Sequence, residues 1–260
     1  MNVLILFSGT KSFSKILLND KNKDKIKEIR TVDLDNTFKP TYNVNILEWD
    51  YKKDLKDYKV DYLHSSPVCK EFSKMKNVKK KRDLELGYSL VDKTIEIIDW
   101  IKNNNNDKLK FTIENPKTKF TLQYSPLMNY DYVITSYCMY GFLYQKDTTF
   151  WYGGFQLKLK EKCNKKNKCY SKSINDGVHK VRIGLSHNKD TGTYKRSNQG
   201  QIGDILYFKE LRKIKGYEKY TNQYFRFRLP PELIQNIINC LLENDINDIT
   251  DNINELVIEI

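Results

Sequence analysis

Five consecutive apolar residues, Val3-Leu4-Ile5-Leu6-Phe7, stand at the start of the chain and limit its fold more than any other stretch. A strand with one wet face alternates apolar with polar residues. An unbroken run of this length instead suits a central parallel strand with helices packed on both faces. Ser8-Gly9-Thr10 follows as a turn, and Ser12 is placed to cap a helix whose apolar face is Phe13, Ile16 and Leu17. Strand, glycine-containing turn and helix form a unit whose backbone N–H groups converge where the chain can approach a ligand. After a charged, solvated segment, Lys21–Arg30, Thr31–Asp35 reads as a second strand ending in carboxylates. Tyr58–Leu63, Lys110–Ile113 and Tyr132–Tyr140 read as further strands. Leu84, Tyr88, Val91, Ile95, Ile98 and Ile101 recur at helical steps, which predicts an amphipathic helix lying on the sheet, broken at Asn103–Asp107. The expected fold is one doubly wound, mostly parallel α/β domain.

At 260 residues the chain can bury such a core with a small appendage to spare. Its net charge of +12 suits a nucleic-acid partner, although basic charge alone would equally suit an anionic membrane surface. Heavy use of Lys, Asn and Ile resembles coding bias in an AT-rich genome, so part of that charge is discounted. No apolar run approaches the ~20 residues of a membrane span. Five cysteines without a signal peptide point to a reducing, intracellular setting, not a secreted disulfide scaffold.

Chemistry-bearing residues gather at the predicted strand ends. Ser65–Ser73, reading Ser-Ser-Pro-Val-Cys-Lys-Glu-Phe-Ser, follows one apolar run, and Pro67 stiffens it just before Cys69. Ligands of open α/β sheets bind outside the carboxyl ends of the strands. A thiolate there can act as a nucleophile when neighbours lower its pKa, whereas a cysteine taken alone is more often a small buried apolar residue. Lys110–Ile113 leads into Glu114-Asn115-Pro116, where Pro116 is expected to end pairing and turn the chain out at the same edge. A thiol and a carboxylic acid on consecutive strand tips are more informative than either alone. Asp33, at the second strand's tip, has the position from which an acid accepts hydrogen bonds from ribose hydroxyls.

These motifs bear a family likeness. Pro67-x-Cys69-x-x-Phe72-Ser73 resembles the catalytic loop of the cytosine-specific DNA methyltransferases that methylate carbon 5, with Val68 inserted where Pro-Cys is usual. Phe7-Ser8-Gly9-Thr10-Lys11-Ser12 resembles the family's first motif, Phe-x-Gly-x-Gly, with Lys11 in place of the second glycine. Glu114-Asn115-Pro116 resembles its Glu-Asn-Val, and Val44-Asn45-Ile46-Leu47 resembles a motif whose Asp meets the adenine amino group. The resemblance implies a methyltransferase-type sheet that holds S-adenosylmethionine through Phe7, Ser8, Gly9, Thr10, Ser12, Asp33, Leu34, Asn45, Ile46 and Pro67. It also implies a flipped cytosine attacked at carbon 6 by Cys69 while Glu114 meets ring nitrogen 3, with DNA as partner, no membrane and a monomeric enzyme. Relatives carry Gln-x-Arg-x-Arg where this chain has Gln145-Lys146-Asp147-Thr148-Thr149, which supplies neither arginine, so that Lys146 and Thr148 are left to reach the base or phosphates.

The expected division is a cofactor-binding and catalytic domain over 1–152, a small target-recognition region over 153–216, and a C-terminal segment over 217–260. In that last segment Leu229–Ile238 begins a helix with Pro at its start, and the resemblance implies that this helix returns to the first strand and completes the cofactor pocket. Basic runs at Lys74–Arg82 and Lys158–Lys168 are placed to face DNA phosphates. Cys163, Cys169, His179 and His187 match no common finger spacing, so no metal is expected and the cysteines read as surface residues of a basic loop. Two alternatives stand beside DNA methylation: a catalytically inactive DNA-binding relative, favoured by Lys11 and the missing arginines, and an RNA cytosine methyltransferase.

Overall fold

Strand β1 (Asn2–Leu6) is central in a seven-stranded sheet, with parallel partners on both sides. On one side lie β2 (Glu28–Asp33) and β3 (Tyr42–Asn43); on the other lie β4 (Tyr62–Ser65) and β5 (Lys110–Pro116). All these pairings are parallel. β6 (Asp131–Ser136) and β7 (Asp147–Gly153) complete the sheet in the order β3-β2-β1-β4-β5-β7-β6, with β7 antiparallel to both its neighbours. The computed structural model describes residues 1–73, 81–164, 166–173 and 217–243, with short pieces at 179, 186–187, 194–195, 209 and 211–214. Among these pieces β8 (Ser186–His187) pairs with β9 (Tyr194–Lys195).

The opening apolar run is explained by its two buried faces. Val3 and Ile5 join one core with Phe13 and Leu17 of helix α1 (Ser12–Leu17). A helix over 231–243 lies on the same side, contributing Leu233, Ile234, Ile237, Ile238 and Leu241. Leu4 and Leu6 point the other way into a second core with Val91, Ile97, Ile98 and Ile101 of α3 (Leu84–Asn104). Short helices α2 (Tyr51–Asp54), α4 (Lys119–Leu122), α5 (Tyr170–Ser173) and α6 (Asn222–Phe227) fill the connections; the 231–243 helix is α7. The chain moves outward from β1 to β2 and β3, then crosses back to β4. The carboxyl ends of β1 and β4 therefore flank the crevice where doubly wound sheets bind ligands.

Several sequence-based expectations need correction. β2 begins at Glu28, so the end of the charged segment is strand; Arg30 stays there by laying its guanidinium on the Tyr58 ring, 4.0 Å from its centroid. Tyr58 is not in β4, which starts at Tyr62; its hydroxyl instead donates to the Val3 carbonyl at 2.9 Å. β6 ends at Ser136, and Tyr137–Tyr140 forms a 3-10 turn closed by Gly141 at φ 85°. Pro116 does not stop pairing: β5 runs through it, opposite Thr148 of β7. Pairing with β4 ends at Ser65–Ile113, so beyond that point β5 has one neighbour only, and a residue without an N–H is tolerated where one side is unpaired. Among the described residues no helix is long and apolar enough to cross a membrane.

Candidate active site

The turn after β1 is wound through left-handed backbone at Phe7, Gly9 and Lys11 (φ 55°, 45° and 55°). Asp33, the last residue of β2, holds it in place: one carboxylate oxygen accepts from Gly9 N at 2.7 Å, the other from Asp35 N at 2.8 Å. Lys11 occupies the helix N-cap position, so Ser12 is already inside α1 and does not cap it. The Ser12 hydroxyl accepts from Leu229 N at 3.4 Å instead, and Tyr220 donates to the Thr10 carbonyl at 3.3 Å. Both contacts draw the C-terminal segment against the turn. The Lys11 ammonium reaches away to the Lys39 carbonyl at 2.6 Å.

This turn fits a bound cofactor. The Ser8 hydroxyl is buried and has no partner among the described residues, the state of a group kept for a ligand. A Cβ built on Gly9 would come no nearer any atom than 4.0 Å, from Phe7 O, so the turn presents an open side. β2 and β3 tips adjoin it: Asn43 Nδ2 donates to the Leu34 carbonyl at 2.9 Å, and Val44 N to Asp33 O at 3.2 Å. Leu34 is exposed and available to a planar ligand, whereas Ile46 is buried in the second core. Asn45 uses its side chain locally, accepting from Leu47 N at 3.2 Å and donating to Glu48 at 3.0 Å.

Cys69 lies in the loop after β4 and Glu114 in β5, the adjacent parallel strand, close enough for the two groups to interact electrostatically. Asn115 Nδ2 donates to the Pro67 carbonyl at 3.4 Å, tying the tip of β5 to the loop after β4. That loop is anchored at its far end too. Phe72 is fully buried, the Glu71 carboxylate accepts from Asp83 N at 2.7 Å at the start of α3, and Arg82 donates to Ser73 O at 2.9 Å. Glu114 is buried, and its donors all meet Oε1: the Thr148 hydroxyl, the Tyr137 hydroxyl at 3.3 Å and, at 3.9 Å, the Lys146 ammonium. Oε2 has no partner among the described residues. In the same strand pair, Asn115 Oδ1 and Thr149 Oγ1 are buried and also lack partners among the described residues. Lys146 donates to the Tyr137 hydroxyl at 3.1 Å and lies over that ring, 4.5 Å from its centroid.

Burial pushes the half-buried Cys69 thiol above its ordinary pKa; Lys146 pulls it down and Glu114 pushes it up. Cys69 therefore rests as a thiol, and Lys146 is the cation that favours its ionisation. Tyr137 is held well above the usual phenol range by burial and by Glu114, so it donates, and never accepts, towards that carboxylate. Behind them His64 is buried between Thr112 and Ser66, stacked on Phe13, and burial lowers its pKa to about 3, which leaves it a neutral structural residue.

Sequence reasoning singled out Cys69, Pro67 and Glu114 and named Lys146 and Thr148 only loosely; it missed Tyr137, placed inside a strand where nothing marks it as polar machinery. Cys163 and Cys169 are not surface residues: both are buried, beside Cys138 and His179. The reason is that the 153–164 segment folds back along β6, where Cys163 N donates to Ser136 Oγ at 3.0 Å. Lys74–Lys80 of the first basic run, the side chain of His187 and the tail beyond Glu243 lie outside the described residues.

No protein-family model matches the chain. A Frog virus 3 (isolate Goorha) protein, named as a probable DNA (cytosine-5)-methyltransferase, is 30% identical over 253 residues, which cover 92% of this chain and 99% of the viral one. Among solved structures, the Entamoeba histolytica methyltransferase EhMeth matches with a TM-score of 0.53 at 12% identity, over 94% of this chain and 98% of that one, a likeness of fold alone. A mutant of Spodoptera frugiperda DNMT2 matches with a TM-score of 0.41 at 18% identity, over 63% and 53% of the two chains.

Proposed function

The chain belongs to the DNA (cytosine-5)-methyltransferase family, and from that premise we propose that it methylates carbon 5 of cytosine in DNA through a covalent bond to Cys69. One observation supports the residue assignment: the Cys69 loop is tied to the β5 tip, Cys69 feels both Glu114 and Lys146, and Thr148, Tyr137 and Lys146 load a single oxygen of Glu114. The other oxygen is left to meet a base.

The target cytosine must leave the stack, because carbon 6 is shielded inside a duplex. Cys69 loses its proton to solvent as its sulfur bonds carbon 6, and the ring electrons that move to nitrogen 3 are met there by a proton taken from solvent and passed on by Glu114. Tyr137 and Thr148 keep the carboxylate oriented throughout, and Lys146 balances negative charge shared between thiolate and carboxylate. The Ser8–Thr10 turn, Asp33 and Leu34 would hold S-adenosylmethionine, which when bound would supply an electrophilic methyl group for carbon 5. Carbon 5 then loses its proton to solvent, nitrogen 3 returns its proton through Glu114, and the carbon 6–sulfur bond breaks with its electron pair going to sulfur, which takes a proton from solvent to restore the thiol. Residues 153–216 are assigned target reading on their basic charge. Turn, nucleophile and acid come from one chain, so the site needs no residue from a second chain, and the enzyme is read as an intracellular monomer.

Duplex DNA containing 5-fluorocytosine tests this, because fluorine cannot leave as a proton does. Incubation with S-adenosylmethionine should trap an adduct that survives denaturation, and Cys69→Ser should abolish it. Wild-type methylation by Cys69→Ser would overturn the nucleophile. No adduct and no cofactor binding would favour the inactive relative, and preference for an RNA oligonucleotide would move the substrate to RNA.

A further inference from the structure

Three of the five cysteines and one of the three histidines meet away from the catalytic crevice. Cys138 comes from the 3-10 turn after β6, Cys163 from the returning segment, Cys169 from the residue before α5, and His179 from ten residues further on. Their three sulfurs and the imidazole nitrogen all lie within 4.8 Å of one another. His179 Nε2 is 3.2 Å from Cys169 Sγ and 3.7 Å from Cys163 Sγ. All five cysteines are free thiols, so no disulfide accounts for the gathering. From these positions we propose that Cys138, Cys163, Cys169 and His179 form a structural zinc site.

The chemistry and the geometry agree. Three thiolates and one imidazole make a closed borderline-soft donor set, and tetrahedral zinc with bonds of ~2.3 Å to sulfur and ~2.0 Å to nitrogen separates its donors by ~3.5–3.8 Å. The observed donors need draw together only slightly. Apart from the three cysteines, this small core has, among the described residues, only Met139 packed against it, which is little apolar surface to hold a segment carrying Lys158, Lys160, Lys162, Lys166 and Lys168. On binding, the three thiols lose their protons and the divalent ion leaves the site with one net negative charge, which offsets those lysines. Cys163 is tied to β6 by the bond from its N–H to Ser136 Oγ, whose own hydroxyl donates to Asp147 of β7 at 2.6 Å. Cys138 directly follows Tyr137, the donor to Glu114. Coordination therefore fastens the base of the 153–216 region to the turn that orients the catalytic acid.

The test is metal content of the full chain, purified under reducing conditions from zinc-supplemented cells and measured by mass spectrometry. One zinc per chain is expected in wild type and in Cys240→Ser, whose cysteine is outside the cluster, and less than about a tenth of that in Cys163→Ser/Cys169→Ser. Should the double variant not fold, His179→Ala changes only a half-buried rim ligand and should lose zinc to a chelator at least about tenfold more readily than wild type. Cobalt-loaded wild type should show thiolate-to-metal charge transfer and the strong visible bands of a tetrahedral site. Folded wild-type protein without stoichiometric zinc, or a Cys163→Ser/Cys169→Ser protein that keeps it, would overturn the proposal.

Discussion

At the scale of single residues, Lys146 decides how readily Cys69 ionises. Burial and Glu114 both favour the neutral thiol, and Lys146 opposes them. A cation favours the thiolate, so its removal must raise the thiol pKa further. Lys146→Gln should therefore shift the pH profile of Cys69 alkylation by iodoacetamide upward by about one unit, slowing the reaction at neutral pH by about tenfold. Peptide mass spectrometry separates Cys69 from the four other thiols. A superimposable profile would show that Lys146 serves Glu114 alone.

At the scale of elements, α3 and the loop carrying Cys69 are packed and hydrogen-bonded together. Gly87 of α3 faces the Phe72 ring so closely that an added Cβ would stand 2.8 Å from its Cζ. Two effects compete in Gly87→Ala. Helix propensity favours alanine by about 1 kcal/mol, while overpacking against a buried ring costs about 1–3 kcal/mol. Phe72 is fully buried and cannot swing away, so the second effect wins. Urea unfolding should show a net loss of about 1 kcal/mol, and trapping by 5-fluorocytosine should slow, because Phe72 is three residues from Cys69. An unchanged or raised midpoint would mean that the loop is free to move away from α3.

At the scale of the whole molecule, a net charge of +12 makes DNA affinity mainly electrostatic. Each phosphate neutralised releases counterions, so log affinity should fall linearly with log salt, with a slope of about −0.9 per contact. Fluorescence anisotropy with unrelated duplexes of equal length should give similar affinities and similar slopes. Salt-independent binding to one short sequence would contradict this.

What the sequence determined by itself is what local periodicity and adjacency carry. Val3–Phe7 had to lie between two apolar layers because it offers no polar face. Leu84–Ile101 had to be a helix because its apolar residues share one side. Cys69 and Glu114 were legible because each follows a short apolar run, which puts it at a strand's carboxyl end wherever that strand lies. Tertiary structure alone decided the rest. Tyr137 and Thr148 meet Glu114 from 23 and 34 residues away, through an antiparallel β7 slotted between β5 and β6. Ser12 gave up its cap for Leu229, 217 residues later, and Cys138 found Cys163 and Cys169 only because the segment after β7 folds back on β6. Such contacts depend on strand register and on which distant surface arrives, and no local pattern of apolar and polar residues encodes either.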